Sequence, residues 1–388
     1  MHPTIATNLM PADPLLTEQH RMMRTVAREF AENEVRPRAA AIDERDEFPR
    51  DLYRRMADLG FMSVLLPEEH GGLGADTLTF AIIMEELARV SASIANSLAV
   101  PVEQCMTLLE HGNARQREYV GPMSRGELIP AFALTEPSAG SDAASIKTTA
   151  RRDGDWWVIN GTKIFITNAH VADLVMVFAV TTPGAGHRGI SAFVVPSGTP
   201  GMYAGAKERF LGVRGLATGE IVFEVCRVPA DALLGEENQG FKLAMSNIDF
   251  SRIAMASLAL GIAQACLEAS VAYARERVQF GQPIWQFQGV GFMLADMSVE
   301  VDAARQLVWK ACRMRDAGLR YSKEAAHAKL YASDVAMKVA TDAVQIQGGY
   351  GYSLESSVQR YFRDAKLTQI YEGTNQIQRM IIARYLCR

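Results

Sequence analysis

The 388-residue chain has only five cysteines, Cys105, Cys226, Cys266, Cys312 and Cys387, far apart and without a CxxC pair. A disulfide framework or thiol redox motif is therefore not expected, and the thiols read as reduced and mostly buried. Its seven histidines show no HExxH or other paired ligand spacing, so no metal site is expected. The net charge of −4 lacks the basic excess of a nucleic-acid binder. No run of about 18 apolar residues suggests a membrane span. Residues 1–17 contain neither arginine nor lysine and no apolar core, so neither a signal nor a transit peptide is expected and the reading is cytoplasmic. The glycine-containing loop 67–74 (PEEHGGLG) lacks the G-x-G-x-x-G spacing and a flanking βαβ unit, which excludes a Rossmann nucleotide site.

What is present is an ordinary globular balance, 48% hydrophobic and 22% charged. The length exceeds one core, so two or three domains are expected. Helical periodicity runs over 16–35, with Thr17 as N-cap, then over 51–59, 77–90 and 95–111, the last broken at Pro101 and stopped by Gly112. Near Ile129 the pattern changes. Short segments rich in β-branched and aromatic residues follow at 130–134, 156–160, 163–167, 174–180, 190–195 and 220–223. Turn signals such as Asp153-Gly154, Asn160-Gly161 and Pro183-Gly184 separate them, which predicts an antiparallel sheet or small barrel. From Gly240 helices return, over 241–277, 289–317, 323–347 and 354–368, with apolar stripes suited to a four-helix bundle. The chain is thus expected to be α+β: a helical domain at 1–128, a β domain at 129–235 and a helical bundle at 236–388. Surplus apolar surface on the long helices predicts self-association.

Residues 369–379 read QIYEGTNQIQR. Gly373 ends one helical stretch and Thr374 is placed to cap the next. Glu372 therefore projects from a short joint pinned by helices, a placement that suits a general base as well as a solvated loop glutamate. Residues 134–142 (LTEPSAGSD) follow a strand and offer hydroxyls, small residues and backbone N–H groups to a ligand. Phe165-Ile166-Thr167-Asn168 ends another strand in a polar pair. Arg277-Val278-Gln279-Phe280-Gly281 ends the long helix with a cation suited to pyrophosphate, and equally to the helix dipole. Residues 345–352 (QIQGGYGY) end a helix in glycines that admit a cofactor or another chain.

With these motifs in this order, the chain resembles the acyl-CoA dehydrogenase family from about residue 16 to 386. The resemblance implies FAD bound between the β domain and the bundle of a homotetramer. It implies flavin contacts from Phe132, Leu134, Thr135, Gly140, Ser141, Phe165, Ile166, Thr167, Thr374 and Gln376. Arg277, Phe280, Gln288, Gln345, Gly348 and Gly349 would meet the flavin of a neighbouring subunit. Ser141, Asp249, Ser251, Arg252 and Gly373 match positions that touch acyl-CoA. Glu372 matches the base that removes the α-proton of the thioester as the β-hydrogen leaves as hydride to flavin; the thioester oxygen is held by the backbone N–H of the base and by a ribityl hydroxyl. Relatives with the base on the long helix carry Glu-Arg where this chain reads Ser251-Arg252, which favours Glu372. The family often has tryptophan where Phe165 stands. No arginine lies between Val90 and Met106, which argues against an acyl tail ending in a carboxylate. Electrons are expected to pass to electron-transferring flavoprotein. The other readings are an O₂-using oxidase, a dehydrogenase of a carrier-protein-bound thioester, and a flavin-binding assembly protein without turnover.

Overall fold

The computed structural model describes residues 14–387. Most of the leader reading falls on residues 1–13, outside that range. The first helix, α1 (Glu18–Phe30), starts at a reciprocal cap, with Thr17 Oγ1 accepting the His20 N–H and His20 Nδ1 accepting the Thr17 N–H. The periodic stretch expected to reach residue 35 leaves α geometry earlier. Ala31–Val35 forms a π turn and Arg36–Arg38 a 3₁₀ turn, because Pro37 has no N–H to continue the ladder. Then follow α2 (Ala39–Arg45), α3 (Arg50–Asp58), α4 (Thr77–Ala88), α5 (Ala92–His111), α6 (Ala114–Arg117) and α7 (Val120–Ser124). Every residue of α4 is buried. The break expected at Pro101 does not occur: α5 runs through it. A proline costs a helix about 3 kcal/mol, and α5 is buried along most of its length, so packing overrides the local preference.

The middle of the chain forms a mixed sheet. Its strands are β1 (Pro130–Ala133), β2 (Thr149–Asp153), β3 (Trp156–Ile166), β4 (Leu174–Val180), β5 (Ile190–Pro196), β6 (Met202–Lys207), β7 (Gly219–Pro229) and β8 (Leu233–Leu234). The order is β6-β7-β3-β2-β4-β5-β8, with β1 also on β4. Most pairings are antiparallel, as expected, but β1 and β2 both run parallel to β4. The chain leaves β1 into the loop 134–148 instead of a hairpin, so β1 comes to lie beside β4. The two strands expected around Asn160-Gly161 are one. That dipeptide is a bulge inside β3, with a register shift against β7. Gly161 has φ +151°, and a Cβ there would lie 2.7 Å from Thr148 Cα. β2 and β6 escaped the sequence reading because both are largely solvent-exposed.

The last part holds α8 (Gly240–Glu276), β9 (Val278–Gln279), β10 (Gln282–Pro283), α9 (Gln288–Asp316), α10 (Ser322–Gln347), α11 (Ser357–Thr368) and α12 (Asn375–Leu386). Helices α8 to α11 form the bundle. α8, 37 residues long, spans about 55 Å at ~1.5 Å per residue. By length and composition it could cross a membrane, but its apolar window is wholly buried in this fold. Gly240 lets its first turn abut β5, where a Cβ would lie 2.6 Å from the Ala192 nitrogen. Gly261 lets it close on α4, where a Cβ would collide with the Glu85 carbonyl oxygen and lie 2.7 Å from Ala88 Cβ. Buried charges join the same helices. Arg305 Nη2 donates to Glu85 (2.9 Å) and to Gln264 (2.8 Å). Arg89 is paired with Glu32, Glu86 and Glu268. Gly261→Val is expected to lower stability by about 1–3 kcal/mol, the usual cost of forcing volume into a filled interface. Chemical denaturation reads it out, and an unchanged midpoint would refute the close-contact role.

Candidate active site

Glu372 sits between α11 and α12, and both it (φ +53°) and Gly373 (φ +85°) adopt left-handed backbone. A non-glycine residue there carries strain, about 1–2 kcal/mol, that the surroundings must offset. They do so with a dense set of hydrogen bonds. Thr374 Oγ1 accepts the Ile377 N–H at 3.3 Å and caps α12, as the sequence predicts. Gln378 Nε2 donates to the carbonyls of Glu372 (3.1 Å) and Gly373 (2.8 Å). Lys329 Nζ, from α10, donates to the Gly373 carbonyl at 2.8 Å and to Asn375 Oδ1 at 3.0 Å. Asn375 Nδ2 in turn donates to Ser333 (2.9 Å) and Asp334 (2.7 Å). The carboxylate is thus aimed by a clamped backbone and not by a mobile loop.

Around it converge residues from three helices. The Ser251 side chain on α8 lies within reach of the Glu372 carboxyl, and the charges of Arg252 and Lys329 lie near. Burial raises Glu372 above the ordinary glutamate value, while Ser251, Arg252 and Lys329 oppose the rise. Lys329 is pushed down to about 7 by burial, with Arg252 adding to the shift and Glu372 opposing it. Arg252 is buried and ion-paired with Asp249, which also accepts from the Ser322 hydroxyl. Of the residues expected at the substrate, Ser251, Arg252 and Gly373 are therefore brought to Glu372, and Asp249 braces Arg252.

The sequence reading missed Glu103 on α5. This carboxylate is 6% exposed. Ser251 lies within reach of it too, and burial together with the Glu372 charge holds its carboxyl well above the usual range. Lys329 and the buried Tyr371 hydroxyl were missed as well. Beside Glu103 opens a cleft of about 460 Å³ between α5, α8 and the end of α9, with Thr107, Asn247, Arg315 and Tyr321 on its walls.

The residues expected at the flavin fall into two groups. The first lies on the sheet. Loop 134–148, which carries Thr135, Gly140 and Ser141, is stapled from within: Glu136 accepts the N–H groups of Lys147 (2.6 Å) and Thr148 (2.9 Å). Lys163 Nζ donates to Glu136 (2.7 Å) and to the Leu134 carbonyl (3.0 Å). Phe165 and Ile166 end β3, next to Thr167. Phe165 has φ +58° and is 53% exposed, an outward-held aromatic. The second group lies at the end of the bundle. Arg277 stacks over Tyr350 with Cζ 5.9 Å from the ring centre, beside Gly348 and Gly349, and a cleft of about 480 Å³ opens there. Phe280 is 95% exposed and meets Phe287, the neighbour of Gln288, edge-on at 6.0 Å. Gly140, Gly348 and Gly349 have open space where a side chain would stand. Gln345, two residues before the end of α10, and Gln376, in the first turn of α12, complete the set. Outward aromatics, an available guanidinium and open glycine backbone fit a large planar cofactor with a pyrophosphate. No cluster of metal-ligating side chains occurs among the described residues.

Family models for the N-terminal, middle and C-terminal domains of acyl-CoA dehydrogenase match residues 17–127, 131–226 and 238–387. The chain belongs to the acyl-CoA dehydrogenase family. It is accordingly an FAD-dependent oxidoreductase with the family's α+β fold. A curated relative, the short-chain-specific acyl-CoA dehydrogenase of Clostridium acetobutylicum, is 44% identical over 96% of this chain and 99% of its own. The solved butyryl-CoA dehydrogenase of Megasphaera elsdenii superposes with a TM-score of 0.95 at 42% identity, over 97% of this chain and all of that one. A chain from work on the electron transferring flavoprotein of Acidaminococcus fermentans and flavin-based electron bifurcation also has a TM-score of 0.95. It is 45% identical over 97% of this chain and 100% of its own.

Proposed function

We propose that this chain desaturates a short acyl-CoA between the α and β carbons, with Glu372 as the base that takes the α-proton. The observation that carries this reading is the clamped, half-buried carboxylate at the α11–α12 joint, whose affinity for a proton is raised by burial. A thioester α-hydrogen is a weak acid, and a carboxylate of raised pKa is better matched to it. Bound FAD supplies the acceptor for the β-hydrogen, which leaves as hydride. Thr135, Ser141, Phe165 and Thr167 would hold it from the sheet side, and Arg277, Phe280, Gln288, Gln345 and Gly348–Gly349 from the bundle of a neighbouring subunit. The Glu372 backbone N–H would hold the thioester oxygen, and Arg252 and Lys329 keep the base ionised between turnovers. Short-chain relatives at 44–45% identity support the chain class. The Acidaminococcus neighbour supports electron-transferring flavoprotein as acceptor. The exposed Phe280, Phe292, Val299, Tyr352 and Leu354 support a homotetramer.

Anaerobic titration of the yellow holoenzyme with acyl-CoAs of graded length tests this. Bleaching of the flavin by short esters is expected. If no CoA ester bleaches it, the reading fails and a carrier-bound thioester comes forward; stoichiometric peroxide in air would mark an oxidase. The pH profile follows from the same site. Only ionised Glu372 can accept the proton, and its pKa is raised, so kcat/KM should climb with pH through a midpoint above the ordinary glutamate value of 4.5. A midpoint at or below that value would contradict the buried-base assignment.

A further inference from the structure

Glu103 has no part in the proton transfer just described, yet it lies at the same point. It projects from α5, Glu372 from the α11–α12 joint, and the Ser251 hydroxyl on α8 is within hydrogen-bonding reach of both. A serine hydroxyl has one proton to donate, so it can donate to only one of the two carboxyl groups. Glu103 Oε1 is buried and has no hydrogen-bond partner. The Tyr371 hydroxyl, close to both carboxyl groups, is likewise buried without a partner. Buried polar atoms are normally satisfied, and unsatisfied ones clustered at a reaction site call for a ligand that completes them.

We propose that Glu103 determines the acyl specificity, selecting a short acyl chain that carries a hydrogen-bond donor, a hydroxyl or an amine, beyond the β-carbon. This inference rests on the desaturation reading given above. A purely alkyl chain would bury Glu103 against methylene groups and leave its oxygen unpaired. Oε1 is an acceptor whether the carboxyl is ionised or not, because the proton of the neutral form can sit on the other oxygen. The donor therefore belongs on the substrate. Because Glu372 repels a second negative charge, Glu103 is the one of the two that keeps its proton. An anionic tail would face two carboxyl groups in this corner and is rejected. The shared position at Ser251 keeps Glu103 within about two hydrogen-bond lengths, ~6 Å, of the Glu372 carboxyl. That distance reaches past the α and β carbons to the next ones along the chain.

The test compares 4-hydroxybutyryl-CoA and 4-aminobutyryl-CoA with pentanoyl-CoA, in which a methyl group replaces the donor. kcat/KM is measured for wild-type holoenzyme, Glu103→Leu and Glu103→Gln, and Kd by calorimetry in a non-reacting Glu372→Gln background with and without Glu103→Leu. The wild type is expected to prefer at least one donor-bearing ester over pentanoyl-CoA by about tenfold or more, since a site built to pair a hydroxyl rejects its apolar analogue strongly. Glu103→Leu should reverse that ratio and raise the melting temperature, and Glu103→Gln should fall between. The hydroxyl and amine esters separate the two donor sources. A preference that stays within about twofold between wild type and Glu103→Leu, in both kcat/KM and Kd, would overturn the proposal. If no ester is desaturated while the Kd ratio still reverses, the desaturation reading falls and the selectivity of Glu103 stands.

Discussion

Glu372→Gln should bind FAD, stay folded and lose about 10⁴-fold in kcat, the upper end of what one positioned acid–base group contributes. The loss has a simple origin. Glutamine keeps the shape and an acceptor oxygen toward Ser251 but has no lone pair basic enough to take a carbon-bound proton. The fold should not suffer, because what clamps the joint acts on backbone atoms, through Gln378 and Lys329. Removing the Glu372 charge beside Glu103 also relieves the repulsion that raises Glu103, so the melting temperature is expected to hold or rise. Stopped-flow mixing with a short acyl-CoA under nitrogen reads the flavin reduction rate. A variant that reduces its flavin within tenfold of the wild-type rate would move the base elsewhere. The long helix offers no carboxylate at Ser251, so Glu103 would be the next candidate.

The second large effect concerns stability. Lys163→Met is expected to cost about 3–5 kcal/mol, the usual price of leaving one half of a buried ion pair alone. Lys163 is fully buried and held against Glu136 at 2.7 Å. Burial pulls Lys163 down to about 8, with Glu136 opposing the shift. Glu136 in turn gathers the N–H groups of Lys147 and Thr148, so losing the lysine frees the loop that carries Thr135, Gly140 and Ser141. Two readouts should move together: a lower denaturation midpoint and flavin lost on gel filtration. The double variant Lys163→Met/Glu136→Leu should recover part of the stability, because it removes the orphaned charge. A single variant as stable as wild type would show that the pair is dispensable.

How far the sequence could be read depended on whether a feature is local. The Thr374 cap, the glycine after Glu372 and the lengths of α8 to α10 are written in neighbouring residues, and the structure follows them. Pro101 was misjudged because a local rule met a buried helix. Asn160-Gly161 was taken for a turn between two strands because bulge and turn use the same residues, and only the partner strand decides between them. Glu103 was out of reach for another reason. Nothing next to Glu103 in sequence says that it faces Ser251, which lies on another helix. The available signal was a carboxylate among Ala99, Val102 and Cys105, the first charged residue along α5. Lys329 was hidden in the same way, an ordinary-looking lysine on α10 whose partners lie beyond the next helix.

The central helix also bears on how the molecule is made. α4 is buried on every side, and much of what covers it is α8, which ends at Glu276. On a ribosome adding about 5–20 residues per second, α4 emerges roughly ten to forty seconds before the whole of its cover. Through that interval the first helices cannot close a core of their own, however well capped they are, and the sheet is synthesised while they wait. The first hundred residues are thus a segment of the chain without being an autonomous folding unit. A nascent chain halted before α8 should expose apolar surface and attract holding chaperones, and release from them should coincide with the arrival of the long helix.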